Sequence, residues 1–328
     1  MSKLTMAQAI ARVQKEEMEK DPDIFIIGED IGKEGGTFVA TKGLYQQFGD
    51  KRVKDSPISE SGFASLGVGA ALYGLRPIVE FMFQDFVLYA MDAIVNQAAK
   101  AYFMYGGQKS VPIVFRIPVG AGLRGAAQHS QCLEAWYAHI PGLIVLYPSN
   151  PEDAYGMLRS AIRNNNPVIF FEHKLLYGKK AEVTDDAQYM IPIGSANVVK
   201  EGKDISIITY GLMVYKCLEA AKRLEEEGIS CEVIDLRSLS PLDTEKILSS
   251  AYKIGKVVVV TEANLKFSVA REITAFIAES ASAEGKSVKL ASCGAFESPI
   301  PYPPSLEDKV LTQSNDIYEC AKNILRQV

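Results

Sequence analysis

Short apolar runs that alternate with helical patterns are the feature that most constrains how this chain can fold. Nine such runs occur, five in the first half and four after residue 200. They are bounded by turn residues and rich in Val, Ile and Phe, which is typical of strands buried on both faces. Their alternation with helices predicts an α/β fold built on open parallel sheets. The runs are DIFIIGED, RPIVEFM, VPIVFRIP, LIVLYPS, PVIFFEHK, DISIITYG, SCEVIDL, KVVVVTEA and VKLASCG.

One polar stretch without a clear period interrupts this rhythm, and it reads LLYGKKAEVTDDAQYMIPIG. A chain of 328 residues is long enough for two domains that each bury a core. We therefore predict a first α/β domain over residues 1–178, a linker over 179–200 and a smaller α/β domain over 201–328.

Helix start and stop signals support this division. Asn150 followed by Pro151 predicts a helix N-terminus, and Asp243 with Gly255 predicts the cap and the end of another helix. Residues 83–107 are apolar on nearly every face but contain too many polar side chains for a membrane span. We predict a helix there, buried in the core or in a subunit interface, and hence an oligomer.

Charge and cysteine content exclude several classes of protein. A net charge of −5 without a basic run disfavours nucleic-acid binding. The N-terminal residues lack the apolar core of a signal peptide. The cysteines show no CxxC pair, so we expect reduced thiols and a cytoplasmic protein without a zinc or disulfide framework. They are Cys132, Cys217, Cys231, Cys293 and Cys320.

The segment GAGLRG, residues 120–125, matches the glycine pattern of dinucleotide-binding loops. A dinucleotide site also needs an acidic residue at the end of the next strand, where this chain has Tyr147 and Ser149. The alternative is a tight turn that carries the next segment.

That next segment holds His129 and His139. A metal site is disfavoured because ten residues separate them, which points them to different sides of a helix. His129 directly follows the glycine turn, at the carboxyl end of a predicted parallel strand, where open α/β sheets place their chemistry. We expect His129 to be functional, with a hydrogen-bonded loop histidine as the alternative, and His139 and His173 to be structural.

Glu60 is a carboxylate in an apolar environment, within SPISESGFASLGVGAALYGL. It could stabilise a helix N-terminus. It could also be a carboxyl whose pKa is raised by its apolar neighbours and which hydrogen-bonds a buried ligand nitrogen. The residues by themselves leave both interpretations open.

Together these stretches resemble the beta subunit of the thiamine-diphosphate-dependent dehydrogenase component of 2-oxo acid dehydrogenase complexes. The resemblance rests on GLYQQFGDKRVKDSPISESGFASLGVGAALYGLRPIVEF, on AAQHSQCLEAWYAHIPGLIVLYPSNPEDAYGMLRSAIRNNNPVIFFEHK and on PIPYPPSLED. It covers nearly the whole chain, and the pyruvate and acetoin members look most similar. It implies a transketolase-like pyrimidine-binding domain followed by a transketolase C-terminal-like domain.

The resemblance assigns roles to individual residues. Glu60 would hydrogen-bond the aminopyrimidine of thiamine diphosphate and so promote removal of the thiazolium proton. Phe86 would stack on that ring, Ile58 would line the same pocket, and Glu29 would be the acidic residue near the cofactor. His129 would handle protons near the substrate and assist transfer of the acyl group to a lipoyl group.

The resemblance also implies ions and partners. Backbone and side chains of Ile113, Ala161, Asn164 and Asn166 would hold potassium, although Asn164 stands where some relatives have Asp. The sequence lacks the GDG motif by which thiamine enzymes hold magnesium and diphosphate. An alpha subunit would supply magnesium in an α2β2 heterotetramer, and a lipoyl acyltransferase would take the acyl group.

The expected activity is that of a pyruvate dehydrogenase beta subunit, an oxidoreductase acting on a 2-oxo acid with a lipoyl acceptor. Acetoin or branched-chain 2-oxo acids are the alternative substrates. Two rival interpretations are a differently divided transketolase-like enzyme and a non-catalytic α/β scaffold subunit. No nucleic acid or membrane partner is expected.

Overall fold

The computed structural model describes residues 1–326, which form two compact units. The first unit comprises residues 1–119 and 136–193, and the second comprises 120–135 and the described residues from 194 to 326. Residues 120–135 thus group with the second unit, which differs from the linear division at residue 178. The predicted linker also contains ordered strand residues.

The first unit contains a layer of parallel strands between helices. Its strands are β1 (Ser2–Thr5), β2 (Ile24–Gly28), β3 (Val53–Asp55), β4 (Arg76–Glu80), β5 (Val114–Val119), β6 (Ile144–Leu146), β7 (Val168–His173) and β8 (Lys180–Val183). Its helices are α1 (Met6–Lys20), α2 (Leu44–Phe48), α3 (Glu60–Leu72), α4 (Gln84–Val87) and α5 (Ala99–Met104). The short α6 (Glu134–Ala138) precedes α7 (Pro151–Arg163).

Within the first unit the strand order is β6-β7-β5-β4-β2-β3, and each neighbouring pair is parallel. The five predicted strands of this half all form. They are buried along nearly their whole length, as expected for a sheet covered on both faces. β1 and β8, which were not predicted, pair antiparallel to each other.

The second unit repeats the architecture. Its strands are β9 (Asn197–Lys200), β10 (Ile205–Thr209), β11 (Cys231–Asp235), β12 (Ser238–Ser240), β13 (Lys256–Asn264) and β14 (Lys289–Ala295), and its helices are α8 (Met213–Glu226), α9 (Thr244–Ile254), α10 (Val269–Ala283), α11 (Pro304–Val310) and α12 (Ser314–Arg326). The strand order is β14-β13-β10-β11-β9, parallel except for β9. The predicted α/β class is therefore confirmed, with sheets that are mostly parallel.

The predicted helix ends are confirmed by their caps. The side chain of Asn150 accepts the backbone N–H of Asp153 at 2.9 Å at the start of α7. Asp243 accepts the N–H of Lys246 at 2.9 Å, and α9 ends at Gly255 with a φ of 74°. Each contact satisfies a backbone group that the helix leaves unpaired.

Residues 83–107 do not form the single buried helix that the apolar pattern predicts. After α4 the chain makes a 3-10 turn over Leu88–Ala90 and a π-helix over Asp92–Ala98 before α5 begins. Each change of pitch rotates the following side chains, so the apolar residues divide between two surfaces. Small side chains such as Ala93 face the core, whereas Phe103 is 84% exposed.

A buried ion cluster ties the centre of the first sheet together. The guanidinium of Arg116 on β5 donates two hydrogen bonds of 2.7 Å to Glu172 on β7 and another to Glu80 on β4. Burial opposes the charged form of Arg116, but the two carboxylates outweigh it and keep the pKa of the guanidinium above its ordinary value. Each side chain is at most 8% exposed, so the cluster fixes three parallel strands from inside the core.

None of the helices between residues 1 and 326 is both long and apolar enough to cross a membrane.

Candidate active site

The sheet of the first unit brings four of the predicted site residues to one edge. β2 lies between β3 and β4, and Gly28 is in register with Asp55 on one side and Glu80 on the other. All three strands point the same way, so the segments that follow them leave the sheet at the same edge. Those segments carry Glu29 after β2, Ile58 and Glu60 after β3, and Phe86 after β4.

Glu29 and Glu60 form a pair of buried carboxyl groups. Their exposed fractions are 4% and 7%. Glu29 accepts the backbone N–H of Ser59, while its Oε1 is buried and has no hydrogen-bond partner within residues 1–326. Burial raises the pKa of Glu29, and the nearby charge of Glu60 raises it further. A buried carboxyl oxygen without a donor is costly, so this site suits a polar ligand that supplies one.

Glu60 is the first residue of α3, and Ser59 supplies no side-chain cap there. The helix dipole therefore favours a carboxylate at this position. Both interpretations of Glu60 describe parts of the same geometry, because the residue begins a helix and is also buried beside a second acid. What distinguishes Glu60 from an ordinary helix-terminal acid is its burial next to Glu29.

Two apolar side chains, Phe86 and Ile58, were also predicted to belong to this site. Phe86 is half-buried and meets Phe83 edge to face, with ring centroids 5.6 Å apart. Ile58, two residues before Glu60, is 81% exposed.

The glycine-rich loop is a turn held by protein carboxylates. In the second unit, the N–H of Ala121 donates to Glu262 at 2.8 Å, and the N–H of Gly122 donates to Glu307 at 2.7 Å. Arg124 binds Glu307 at 3.0 Å as well. The backbone donors that a dinucleotide diphosphate would need already bind acids, so the tight-turn interpretation of GAGLRG is the one that fits.

His129 ends a 3-10 turn over Ala127–His129 in the second unit and is half-buried. A Cβ at Gly125 would lie 2.7 Å from the Cβ of His129, so the glycine permits the turn to close on the histidine. Residues on both sides of His129 line a cavity of about 490 Å³. Among them, the Ser130 hydroxyl is buried and has no hydrogen-bond partner within residues 1–326.

A buried acid close to this cavity was missed by the sequence analysis. Glu134 accepts a hydrogen bond from the Tyr210 hydroxyl at 2.7 Å. Burial raises its pKa to about 7, although the Tyr210 hydroxyl opposes the shift. The only sequence signal was an acid in the first turn of a short helix, and its partner Tyr210 lies 76 residues away.

Of the remaining two histidines, His173 makes the kind of local hydrogen bond that a structural role requires. The Nδ1 of His173 accepts the N–H of Leu175 at 3.1 Å and so caps a 3-10 turn. His139 is exposed. Within residues 1–326 there is no cluster of three or more His, Cys, Asp or Glu side chains that could hold a metal ion.

The predicted potassium ligands lie around the C-terminal end of α7. The carbonyl of Ala161 accepts the N–H of Asn164 at 3.2 Å, and the carbonyl of Ile113 accepts that of Val168 at 2.9 Å. The guanidinium of Arg76 donates to the carbonyl of Asn164 at 2.7 Å. A second lone pair stays on each carbonyl, but none of the predicted ligands is a carboxylate, and the guanidinium of Arg76 already lies there with Asp21 4.0 Å from it. The donor set therefore fits potassium only weakly.

Comparison with known proteins places this geometry in a family. Residues 2–180 match the model of the transketolase pyrimidine-binding domain, and residues 194–317 match that of the transketolase C-terminal domain. A split-gene transketolase described as an inactive beta4 tetramer has a similar structure, with a TM-score of 0.78. The match covers 98% of each chain at 23% identity and shows that the two proteins share a fold.

Three curated proteins are similar at higher identity. The 2-oxoisovalerate dehydrogenase subunit beta of Bacillus subtilis is 49% identical over 85% of each chain. The acetoin:2,6-dichlorophenolindophenol oxidoreductase subunit beta of Cupriavidus necator is 46% identical over 99% of this chain and 98% of its own. The mitochondrial pyruvate dehydrogenase E1 component subunit beta of Bos taurus is 44% identical over 98% of this chain and 90% of its own. This chain therefore belongs to the family of beta subunits of thiamine-diphosphate-dependent 2-oxo acid dehydrogenases, of the pyruvate, acetoin and branched-chain types, and is a subunit of an oxidoreductase.

Proposed function

We propose that this chain is the beta subunit of a pyruvate dehydrogenase that decarboxylates the 2-oxo acid and transfers the acyl group to a lipoyl group. The observation that carries this proposal is the buried pair of Glu29 and Glu60, with one carboxyl oxygen that lacks a donor. An aminopyrimidine offers both N–H donors and a basic ring nitrogen, which suits two adjacent carboxyl groups of which one is readily protonated.

The chain's own residues would act on thiamine diphosphate in distinct ways. Glu60 would share a proton with the pyrimidine nitrogen, and Glu29 would accept a hydrogen bond through its buried oxygen. Phe86 and Ile58 would supply the apolar walls that exclude water from this contact. When bound, the cofactor supplies the carbon nucleophile and the electron sink for decarboxylation.

His129 would act at a later stage. A half-buried imidazole can accept and return a proton near neutral pH. Transfer of the acyl group to a lipoyl disulfide requires such a group, because the S–S bond breaks and the second sulfur leaves as a thiolate that takes up a proton. The glycine turn that closes on His129 supports this role, and so does the cavity that its neighbours line.

An alpha subunit would complete the enzyme as an α2β2 heterotetramer. It would hold magnesium and the diphosphate, for which this sequence has no GDG motif. Large side chains exposed in the first unit support such an interface, on α3 and on the segment that packs against it. They are Leu66, Tyr73, Leu88, Tyr89, Tyr102, Phe103 and Met104. A lipoyl acyltransferase would be the second partner, and the cytoplasm the place of action.

Acetoin and the branched-chain 2-oxo acids are the alternative substrates. The relatives that favour them are the acetoin oxidoreductase and 2-oxoisovalerate dehydrogenase subunits, at 46% and 49% identity. Either substrate would use the same acid pair, because the reaction at the cofactor begins in the same way. The rival interpretation from a different class is a scaffold subunit without catalysis. Such a subunit would have no use for a buried pair of acids that bind no ligand.

The proposal is tested by reconstitution. The chain is combined with an alpha subunit that contains GDG, and turnover is measured with pyruvate, acetoin and 3-methyl-2-oxobutanoate in the presence of lipoamide. We expect turnover only in the combined sample, with pyruvate as the best substrate, and weak binding of thiamine diphosphate to the isolated chain. Micromolar, magnesium-dependent binding by the isolated chain, or a stable monomer that ignores the alpha subunit, would contradict the proposal.

A weak potassium site is proposed at the end of α7. Stabilisation by a ligand at a concentration near its dissociation constant is about 0.4 kcal/mol, so exchanging sodium for about 100 mM potassium should raise the unfolding temperature by only about 1–2 °C. Asn164→Asp supplies the missing charge and should enlarge this difference, while Asn323→Asp, at an exposed position in the second unit, serves as the matched control. An equal effect of both ions on the Asn164→Asp variant would rule the site out.

A further inference from the structure

Two cysteine side chains of the second unit meet between a strand and a helix. Cys293 lies on β14 and Cys320 lies on α12, which packs against β14. Both pack against the same hydrophobic core, and the two thiols are close enough to influence each other's ionisation. Neither is in a disulfide.

The placement of the two residues follows from the periods of their elements. Ile317, Ala321 and Ile324 form the buried stripe of α12, and Cys320 lies three residues after Ile317 on the same face. Ala291 and Cys293 are two residues apart and therefore share one face of β14. All of them pack against the same hydrophobic core, so the strand face and the helix face are opposed.

Cys293 and Cys320 are both partly exposed, so a small reagent such as a peroxide can approach them. Cys132 is also partly exposed, whereas Cys217 and Cys231 are buried. The interaction with Cys293 lowers the pKa of Cys320, whereas the interaction with Cys320 and burial raise the pKa of Cys293. Cys320 is thus the thiol that ionises first, and a thiolate is the form that attacks peroxides.

We propose that Cys293 and Cys320 are an oxidation site, at which a peroxide converts the two thiols into a disulfide within the chain. The Cys320 thiolate attacks one peroxide oxygen, which gives a sulfenic acid and releases hydroxide. The Cys293 sulfur then attacks the sulfenic sulfur, the S–S bond forms and water leaves. The thiols lose two electrons in total, and hydrogen peroxide is reduced to two molecules of water.

The disulfide would join β14 to α12. It would close a loop that contains α11 and the segment before it, and would restrict this part of the unfolded chain. The oxidised protein should therefore be more resistant to unfolding than the reduced one, provided that the bond forms without distortion.

The experiment uses the full chain, reduced and then treated with a small molar excess of hydrogen peroxide. Catalase ends the reaction, N-ethylmaleimide labels the remaining thiols in denaturant, and peptides are mapped without reduction. We expect labelling to fall from five thiols to three, with a peptide linking Cys293 to Cys320, and dithiothreitol should restore all five.

Variants separate this pair from the neighbouring thiols. Cys293→Ser should abolish the linked peptide and leave Cys320 to be labelled or oxidised alone. Cys217→Ala removes a buried cysteine of the same core and should leave the linkage unchanged. Oxidation of Cys320 without any linkage in the unmodified chain would overturn the proposal, as would a linkage that involves Cys217 instead. Because the mapping is made on the unmodified chain, the result does not depend on whether a variant folds.

Discussion

Glu60→Gln should lower turnover of the reconstituted enzyme by about 10²- to 10⁴-fold, the range typical of general acid–base steps. Glutamine keeps the size and one hydrogen bond but cannot exchange a proton with a pyrimidine nitrogen. The fold should persist, because Glu60 is the first residue of α3 and a neutral side chain there loses only the dipole contribution of about 0.3–1 kcal/mol.

The effect is assigned to the cofactor step by a second measurement. Exchange of the thiazolium proton of bound thiamine diphosphate with deuterated water, followed by rapid quench, should slow in Glu60→Gln by a factor similar to that of turnover. His129→Ala should leave this exchange unchanged while transfer to lipoamide slows.

Glu34→Gln is the matched control, because Glu34 is exposed and the substitution is the same. If Glu60→Gln, folded and assembled, exchanges the proton at the rate of the unmodified enzyme, Glu60 is only a helix-terminal acid.

Arg116→Met should destabilise the chain by about 3–5 kcal/mol, since it leaves carboxylates in the core without their cation. Glu172 receives two hydrogen bonds from Arg116 and is completely buried, so little water can replace them. Methionine fills a similar volume, which limits the contribution of a cavity. The measurement is the free energy of unfolding of the full chain in denaturant.

Arg163→Met is the control for this prediction. The side chain of Arg163 is 30% exposed, and its partner Glu17 keeps a second contact to Arg159. Removing the Arg163 guanidinium should therefore lower the free energy of unfolding by about 1 kcal/mol or less. Adding Glu172→Gln to Arg116→Met should recover part of the stability by removing a buried charge. Equal stability of Arg116→Met and the unmodified chain would mean that the two acids are neutral in the core.

The features that the sequence predicted depend on residues close together in the chain. Strand runs such as RPIVEFM are recognisable because burial on both faces requires a continuous apolar run. Caps such as Asn150 and Asp243 act on an N–H only three residues away. The burial of Glu60 was predictable for the same reason, because its apolar neighbours are adjacent to it in the sequence. The roles of Phe86, Ile58 and His129 came from the resemblance, and they stay predictions.

Contacts that join distant residues had no such signal. Arg116 lies 36 residues from Glu80 and 56 from Glu172, and only the parallel register of β4, β5 and β7 brings the three together. Likewise, residues 120–135 group with the second unit, where Glu262 and Glu307 bind the glycine turn. The sequence by itself determined the buried strands of both sheets and the capped ends of α7 and α9, because these depend on local apolar runs and on hydrogen bonds between near neighbours. The tertiary structure decided which buried charges share a partner and which thiols meet, because those pairings depend on strand order and on how helices pack against the sheets.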